Sequence, residues 1–338
     1  MHGMNLFNNC KSYFIVLRFI GIVLVGWFGV GTAVADSVIV VNSAGDTISL
    51  IDPKTYKETS RVFVGKGPHH LMATPDDDAL LLGNTSSNDL AFLDRKTGAI
   101  TKKIAMLDPY QLGFSPDKKW FVTTALRMDY VDIYTGEDVI KQRENVKPVK
   151  RVKTGAMPSH MAFSADSKTV YITLQGANKI SAINLADQTL TATLEVGREP
   201  AGIWISPDQK ELWVGMMGSD YVGIIDRATF KQTSKLVTGK GAHNIFARGD
   251  GKTVFVSNRV DNTISVVDWQ TKKIVDSYSV PGGPDCLEII PSANEMWVTS
   301  RWAQKVTVID LATKKIKASI PVGRSPHGIY YHQHAPRQ

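Results

Sequence analysis

A short apolar run that ends in a polar residue recurs seven times, and this periodicity limits the possible folds more than any other feature of the chain. The copies are Ser49-Leu50-Ile51-Asp52, Ala91-Phe92-Leu93-Asp94, Asp129-Tyr130-Val131-Asp132, Ser181-Ala182-Ile183-Asn184, Val222-Gly223-Ile224-Ile225-Asp226, Ser265-Val266-Val267-Asp268 and Thr307-Val308-Ile309-Asp310. Their last residues are separated by 42, 38, 52, 42, 42 and 42 positions. A threonine follows three residues on at Thr97, Thr135, Thr229, Thr271 and Thr313. A G-x-x-P turn shares the period: Gly65 to Pro68, Gly155 to Pro158, Gly197 to Pro200 and Gly323 to Pro326, with Ala242 in the proline's place in a fifth copy. Pro109 and Pro284 mark the other two, and polar turns such as Ser115-Pro116-Asp117 and Ser206-Pro207-Asp208 separate the apolar runs.

Each repeat reads as four short strands punctuated by Gly, Pro, Asp and Asn, with little helical periodicity. Roughly 42 residues in four strands is the size of one propeller blade. Ser37-Val38-Ile39-Val40-Val41 matches the second strand of a repeat, and Pro326 to Tyr331 matches the first. The two terminal segments therefore complete one blade, and closing the ring removes exposed sheet edges. The expectation is an all-β, seven-bladed β-propeller of four-stranded blades, closed by a composite N/C-terminal blade, over 36–334 with a tail at 335–338. The interval between Asp132 and Asn184 is the longest, and it carries a basic stretch from Lys141 to Arg151. That stretch is expected to project as a solvated hairpin from the outer part of blade three.

Residues 1–35 differ from the rest. Lys11 and Arg18 are their only charges, Phe19 to Val30 is apolar apart from glycine, and Ala33-Val34-Ala35 offers a small-x-small cleavage site before Asp36. This is the pattern of a cleaved secretory signal peptide, and it predicts a periplasmic protein. No later segment is apolar enough to span a bilayer. Cleavage would lower the net charge from +7 to +5, too mild to name a partner. Of the two cysteines, Cys10 would leave with the leader, so Cys286 has no internal disulfide partner. The chain lacks C-x-x-C-H and so lacks a covalent c-type haem site. A monomer is expected.

Val170-Tyr171-Ile172-Thr173, Val254-Phe255-Val256-Ser257-Asn258 and Trp297-Val298-Thr299-Ser300 resemble the signature of the YVTN-repeat propellers, and the V-G-x-x-P turn and V-x-V-I-D run fit it too. The resemblance covers the whole mature chain and implies the fold. It also implies similarity to the d1-haem domain of cytochrome cd1 nitrite reductase and its maturation proteins. It does not fix the function, because one fold hosts many activities.

Strand order places the G-x-x-P turns and the turns between second and third strands on one face. There, the two residues after each proline or its equivalent are His69-His70, Tyr110-Gln111, Ser159-His160, Ala201-Gly202, His243-Asn244, Asp285-Cys286 and His327-Gly328. Five of the seven histidines outside the leader occupy these positions. The third and fifth residues after proline are apolar and read as interblade core. His69, His243, Asp285 and His327 share one parity, His70 and His160 the other, and the pattern leaves open which parity reaches the axis. Arg127, Arg259 and Arg301, with Trp302, add a basic, aromatic rim.

The candidate ligand-binding residues are thus His69, His243, Asp285, His327, Arg127, Arg259, Arg301 and Trp302. The candidate metal ligands are His69, His160, His243 and His327, since neutral imidazoles suit zinc or copper and Asp285 can ligate or orient a histidine. The first functional expectation is a non-catalytic periplasmic accessory protein that binds a ligand or protein partner at the channel mouth. The alternatives are a protein that handles a transition metal or d1-type haem, and a metal-assisted lyase or hydrolase. In the last, His243 or His327 serves as general base and Arg259 or Arg301 stabilises an oxyanion. A basic rim also suits single-stranded DNA.

Overall fold

The computed structural model describes residues 36–335, and the leader assigned to 1–35 lies outside them. The described residues form seven antiparallel sheets of four strands, a seven-bladed β-propeller. Blade one is composite: Pro326–Tyr330 is its inner strand, followed outward by Val38–Asn42, Thr47–Asp52 and Lys57–Phe63. The inner strands of blades two to seven are Pro68–Ala73, Gln111–Phe114, Pro158–Phe163, Pro200–Ile205, Ala242–Ala247 and Pro284–Ile290.

Burial explains the sequence pattern. Second strands such as Leu80–Asn84 are buried at every position, because neighbouring blades cover both faces. Outermost strands such as Lys57–Phe63 are mostly exposed and read as polar. The interblade core includes Trp213, Trp297, Phe92, Phe121 and Phe255, none of which is exposed. Tyr56 Oη of blade one donates to Glu295 Oε1 of blade seven at 2.5 Å and so helps join the ring.

The recurring polar residues are turn devices. Asp94, Asp226, Asp268 and Asp310 each accept, through Oδ1, the backbone N–H of the threonine three residues on. That bond is why D-x-x-T repeats. Ser115, Ser164 and Ser206 each donate to the Asp two residues on at 2.6 Å, closing the turn between first and second strands. A third device was not read from the sequence. Asp46, Asn88, Asp129, Asn178, Asp220 and Asn262, all left-handed, accept N–H groups from the connection into the next blade. Asp and Asn tolerate that conformation better than other side chains do.

Blade three corrects one alignment. In the next blade the repeat's last residue faces the start of the second strand, as Asn184 faces Thr169. In blade three that partner is Thr135, opposite Trp120, so Asp132 lies three residues inside the strand. Asp132 is fully buried where four of the other blades have Ser49, Ser181, Ser265 and Thr307, and Arg151 pairs with both its oxygens at 2.8 Å. The basic stretch follows a short helix, Gly136–Ile140, and runs into the outer strand, Lys150–Lys153, which includes Arg151. Arg151 serves that buried pair, and Lys141 and Arg143 pair with Glu137 and Asp138. No helix among the described residues is long and apolar enough to cross a membrane.

Candidate functional site

The backbone settles the question of parity. In six of the seven inner strands the pairing slips by one residue after the proline position: Pro68 faces Asn84, yet Leu71 faces Leu82. Two residues of the inner strand thus stand opposite one, a β-bulge. The bulged residues are the histidine-bearing pairs, and in blade two both members join the axial cluster. The turns between second and third strands donate to carbonyls of the G-x-x-P turns, as Ser86 does to Lys66 and Val260 to Lys240, so the two turn sets share this face as expected.

Asp285 is the hub. It has no exposure, and its Oδ1 meets Arg259 Nη2 at 2.5 Å, while Oδ2 meets His327 Nδ1 at 2.7 Å and Arg301 Nη1 at 3.1 Å. His243 Nδ1 lies 3.1 Å from Oδ1 but off the hydrogen-bond direction. Burial pushes the Asp285 carboxyl up, yet Arg259, His327 and His243 outweigh it and hold the group well below the usual aspartate range.

The other histidines close around this hub. His69 stacks on Tyr110 with ring centroids 4.0 Å apart and meets His327 at the same distance. His70 Nδ1 lies 2.9 Å from the Tyr110 carbonyl oxygen and 2.9 Å from His69 Nδ1, while its Nε2 lies 3.2 Å from His327 Nε2. His160 stands edge-on between His70 and His243, at centroid distances of 5.1 and 5.6 Å. Its Nδ1 meets the Ser159 hydroxyl at 2.7 Å, and its buried Nε2 has no hydrogen-bond partner. Burial lowers the pKa of all five: His160 to about 3, His69, His70 and His243 well below the usual value, and His327 less, because Asp285 opposes the shift. Burial also raises Tyr110 to about 12 and the Cys286 thiol well above its usual value, so that thiol is a poor nucleophile here.

Blade five contributes only Ala201 and Gly202. A Cβ on Gly202 would come within 2.2 Å of Asn244 Oδ1, so glycine makes room for that side chain. Along the axis beside the cluster runs a cavity of about 210 Å³ lined by His70, His160, Asn244 and Cys286 and by apolar residues such as Met161 and Ile245. The third residues after proline therefore wall the channel as well as packing between blades. Ala335, assigned to the tail, is buried at this cavity, and its N–H bonds the Ile289 carbonyl.

The sequence-derived candidates thus divide. His69, His160, His243, Asp285, His327, Arg259 and Arg301 come together. Arg127 does not: it clasps buried Asp108 through Nε at 3.0 Å and also reaches the Thr85 carbonyl. Trp302 stands 58 % exposed over Gly283, apart from the histidines. His70 and Tyr110 also join the cluster, although neither was among the candidate residues. The exposed cations Lys66, Arg198, Lys240 and Arg324 share their face with Asp46, Asp129, Asp220 and Asp261, which offsets the basic rim.

The model of the YNCE-like beta-propeller family matches residues 29–337. The chain belongs to this family. Solved structures similar to this YNCE-like propeller include hydrazine synthase of Kuenenia stuttgartiensis, with 20 % identity over 78 % of this chain and 88 % of that one and a TM-score of 0.63. A functionally unknown protein from Desulfotomaculum acetoxidans is 16 % identical over 88 % of this chain and 99 % of that one, with a TM-score of 0.72. Dihydro-heme d1 dehydrogenase NirN, in complex with DHE, is 15 % identical over 88 % of this chain and 75 % of that one, with a TM-score of 0.65. At these identities the likeness is one of fold. No curated protein matches the sequence.

Proposed function

We propose that this YNCE-like propeller is an exported, non-catalytic accessory protein that holds a transition-metal ion in its axial histidine cluster. The observation that carries this reading is the convergence of four buried imidazoles and the half-buried His70 from four blades, with burial favouring the neutral form of each. Neutral imidazole is the ligating form, and it suits zinc, copper, nickel or iron. Asp285 supports the same reading, because a carboxylate on the far nitrogen of a ligating histidine is the usual second shell of such sites. The arginines, by contrast, are occupied: Arg259 and Arg301 both face Asp285, which leaves them poorly placed for an incoming anion.

A d1-type haem, suggested by the likeness to NirN, does not fit the residues as they stand. Its carboxylates would need the arginines that Asp285 holds. The cavity of about 210 Å³ is also smaller than the ~300–1,000 Å³ typical of pockets for drug-sized ligands and cofactors. Elemental analysis of protein purified from its native compartment without chelator tests the metal reading. About one zinc, copper, nickel or iron per chain is expected. A protein that emerges without metal and takes up none on titration with these ions overturns it.

A further inference from the structure

Two of the five histidines have their protons placed by partners that can only accept. The Tyr110 carbonyl oxygen, 2.9 Å from His70 Nδ1, must receive the His70 proton there. His327 Nδ1 has the Asp285 carboxylate at 2.7 Å and the donor-only Arg301 Nη1 at 3.2 Å, and the shorter, charge-assisted contact to the carboxylate places the His327 proton on Nδ1. A neutral imidazole carries one N–H, so the Nε2 of each ring is bare. Yet these two bare nitrogens face each other at 3.2 Å. Two lone pairs at that distance repel unless a cation lies between them. His69 does not supply one: its Nδ1, 2.9 Å from His70 Nδ1, accepts a share of the same His70 proton.

Resting on the metal-binding reading above, we propose that the ion is held by His70 Nε2 and His327 Nε2 as its first two ligands, beside His69, whose ligand atom lies within 4.8 Å of theirs. The Tyr110 carbonyl and Asp285 set the two tautomers. The spacing fits. Metal–nitrogen bonds of ~2.0–2.1 Å to both rings subtend roughly 100–105° at the ion, close to tetrahedral. His70 lines the axial cavity, so a further coordination position opens there. The donor set is uncharged imidazole, which selects a borderline d-block ion such as zinc or copper over calcium or magnesium.

The test uses the full mature chain stripped of metal and titrated with zinc alone against a chromophoric chelator. His70→Gln and His327→Gln are each expected to weaken zinc binding at least ~100-fold, since even loss of a second-shell partner costs about 10–100-fold. His334→Ala, in the tail, serves as the control for handling. Near-ultraviolet circular dichroism confirms that the variants fold. If wild-type protein binds zinc but both glutamine variants bind within about 3-fold of it, the assignment of ligands fails while the metal reading stands. If wild-type protein binds none, the metal reading itself fails. Nitrogen-15 spectra of the metal-free protein at mildly alkaline pH give an independent readout. His70 and His327 should both be Nδ1–H tautomers, and an Nε2–H tautomer at either overturns the proposal.

Discussion

Asp285 has no exposed surface, and three side chains hydrogen-bond to its two oxygens while a fourth lies at ion-pair distance. Its charge stabilises the cluster only because Arg259 and Arg301 are there to receive it. Asp285→Asn would leave both guanidinium groups, largely buried, facing a neutral amide. Breaking a buried pair from one side costs about 3–5 kcal/mol, and the partial exposure of Arg301 places this change near the lower end. Urea unfolding should therefore show a loss of roughly 3 kcal/mol. A loss below about 0.5 kcal/mol, the scale of an ordinary surface substitution, would show that the pairs contribute nothing net. The residues of this cluster were largely legible from the repeat, because superposing seven copies brought His69, His160, His243, Asp285 and His327 into register. His70 shares the register of His160 but was not among the candidates. Which of the two positions reaches the axis was not legible, because strand alternation allows only one of them to do so and the slip in backbone pairing lets both.

Among the elements, the turns explain most of the repeat. The Ser-x-Asp turns hold their carboxylates in the charged form. Asp166 and Asp208 sit below the ordinary value of 3.8, chiefly because the Ser164 and Ser206 hydroxyls donate to them. A carboxyl whose folded pKa is depressed contributes stability that is fully present above its unfolded value and is lost as pH falls through the folded one. Ser164→Ala should cost about 0.5–1.5 kcal/mol at neutral pH, the net worth of a hydrogen bond. The difference from wild type should shrink as pH falls below 3.8 and through the lower pKa that Asp166 has in the folded wild type. Equilibrium unfolding at neutral and acidic pH measures it, and an equal difference at both would show that the Asp166 charge plays no part. Asp132 marks the limit of reading such motifs in one dimension. Asp132 looked like a strand's end but belongs to its middle, and only the facing strand, with Arg151 on the outer strand beside it, distinguishes a turn carboxylate from a buried ion pair.

On the scale of the molecule, the composite blade was the most legible feature, because a ring of identical sheets needs each missing strand supplied from somewhere. The sequence showed which strands the two terminal segments supply, and pairing of Ile39 with Tyr330 and Val40 with Ile329 joins them. That junction makes the connection between Tyr330 and Val38 geometrically equivalent to the turn between first and second strands in any other blade, such as the one from Phe163 to Thr169. The order in which the polypeptide visits the blades is then a matter of where it happens to be cut. A circular permutant, with residues 330 and 38 joined by a turn of about five residues and new ends opened at the exposed Lys66 turn, should fold to the same ring and bind the same ion. Its melting temperature would report how much the native cut site matters, and failure to fold would mean that the composite blade must assemble last.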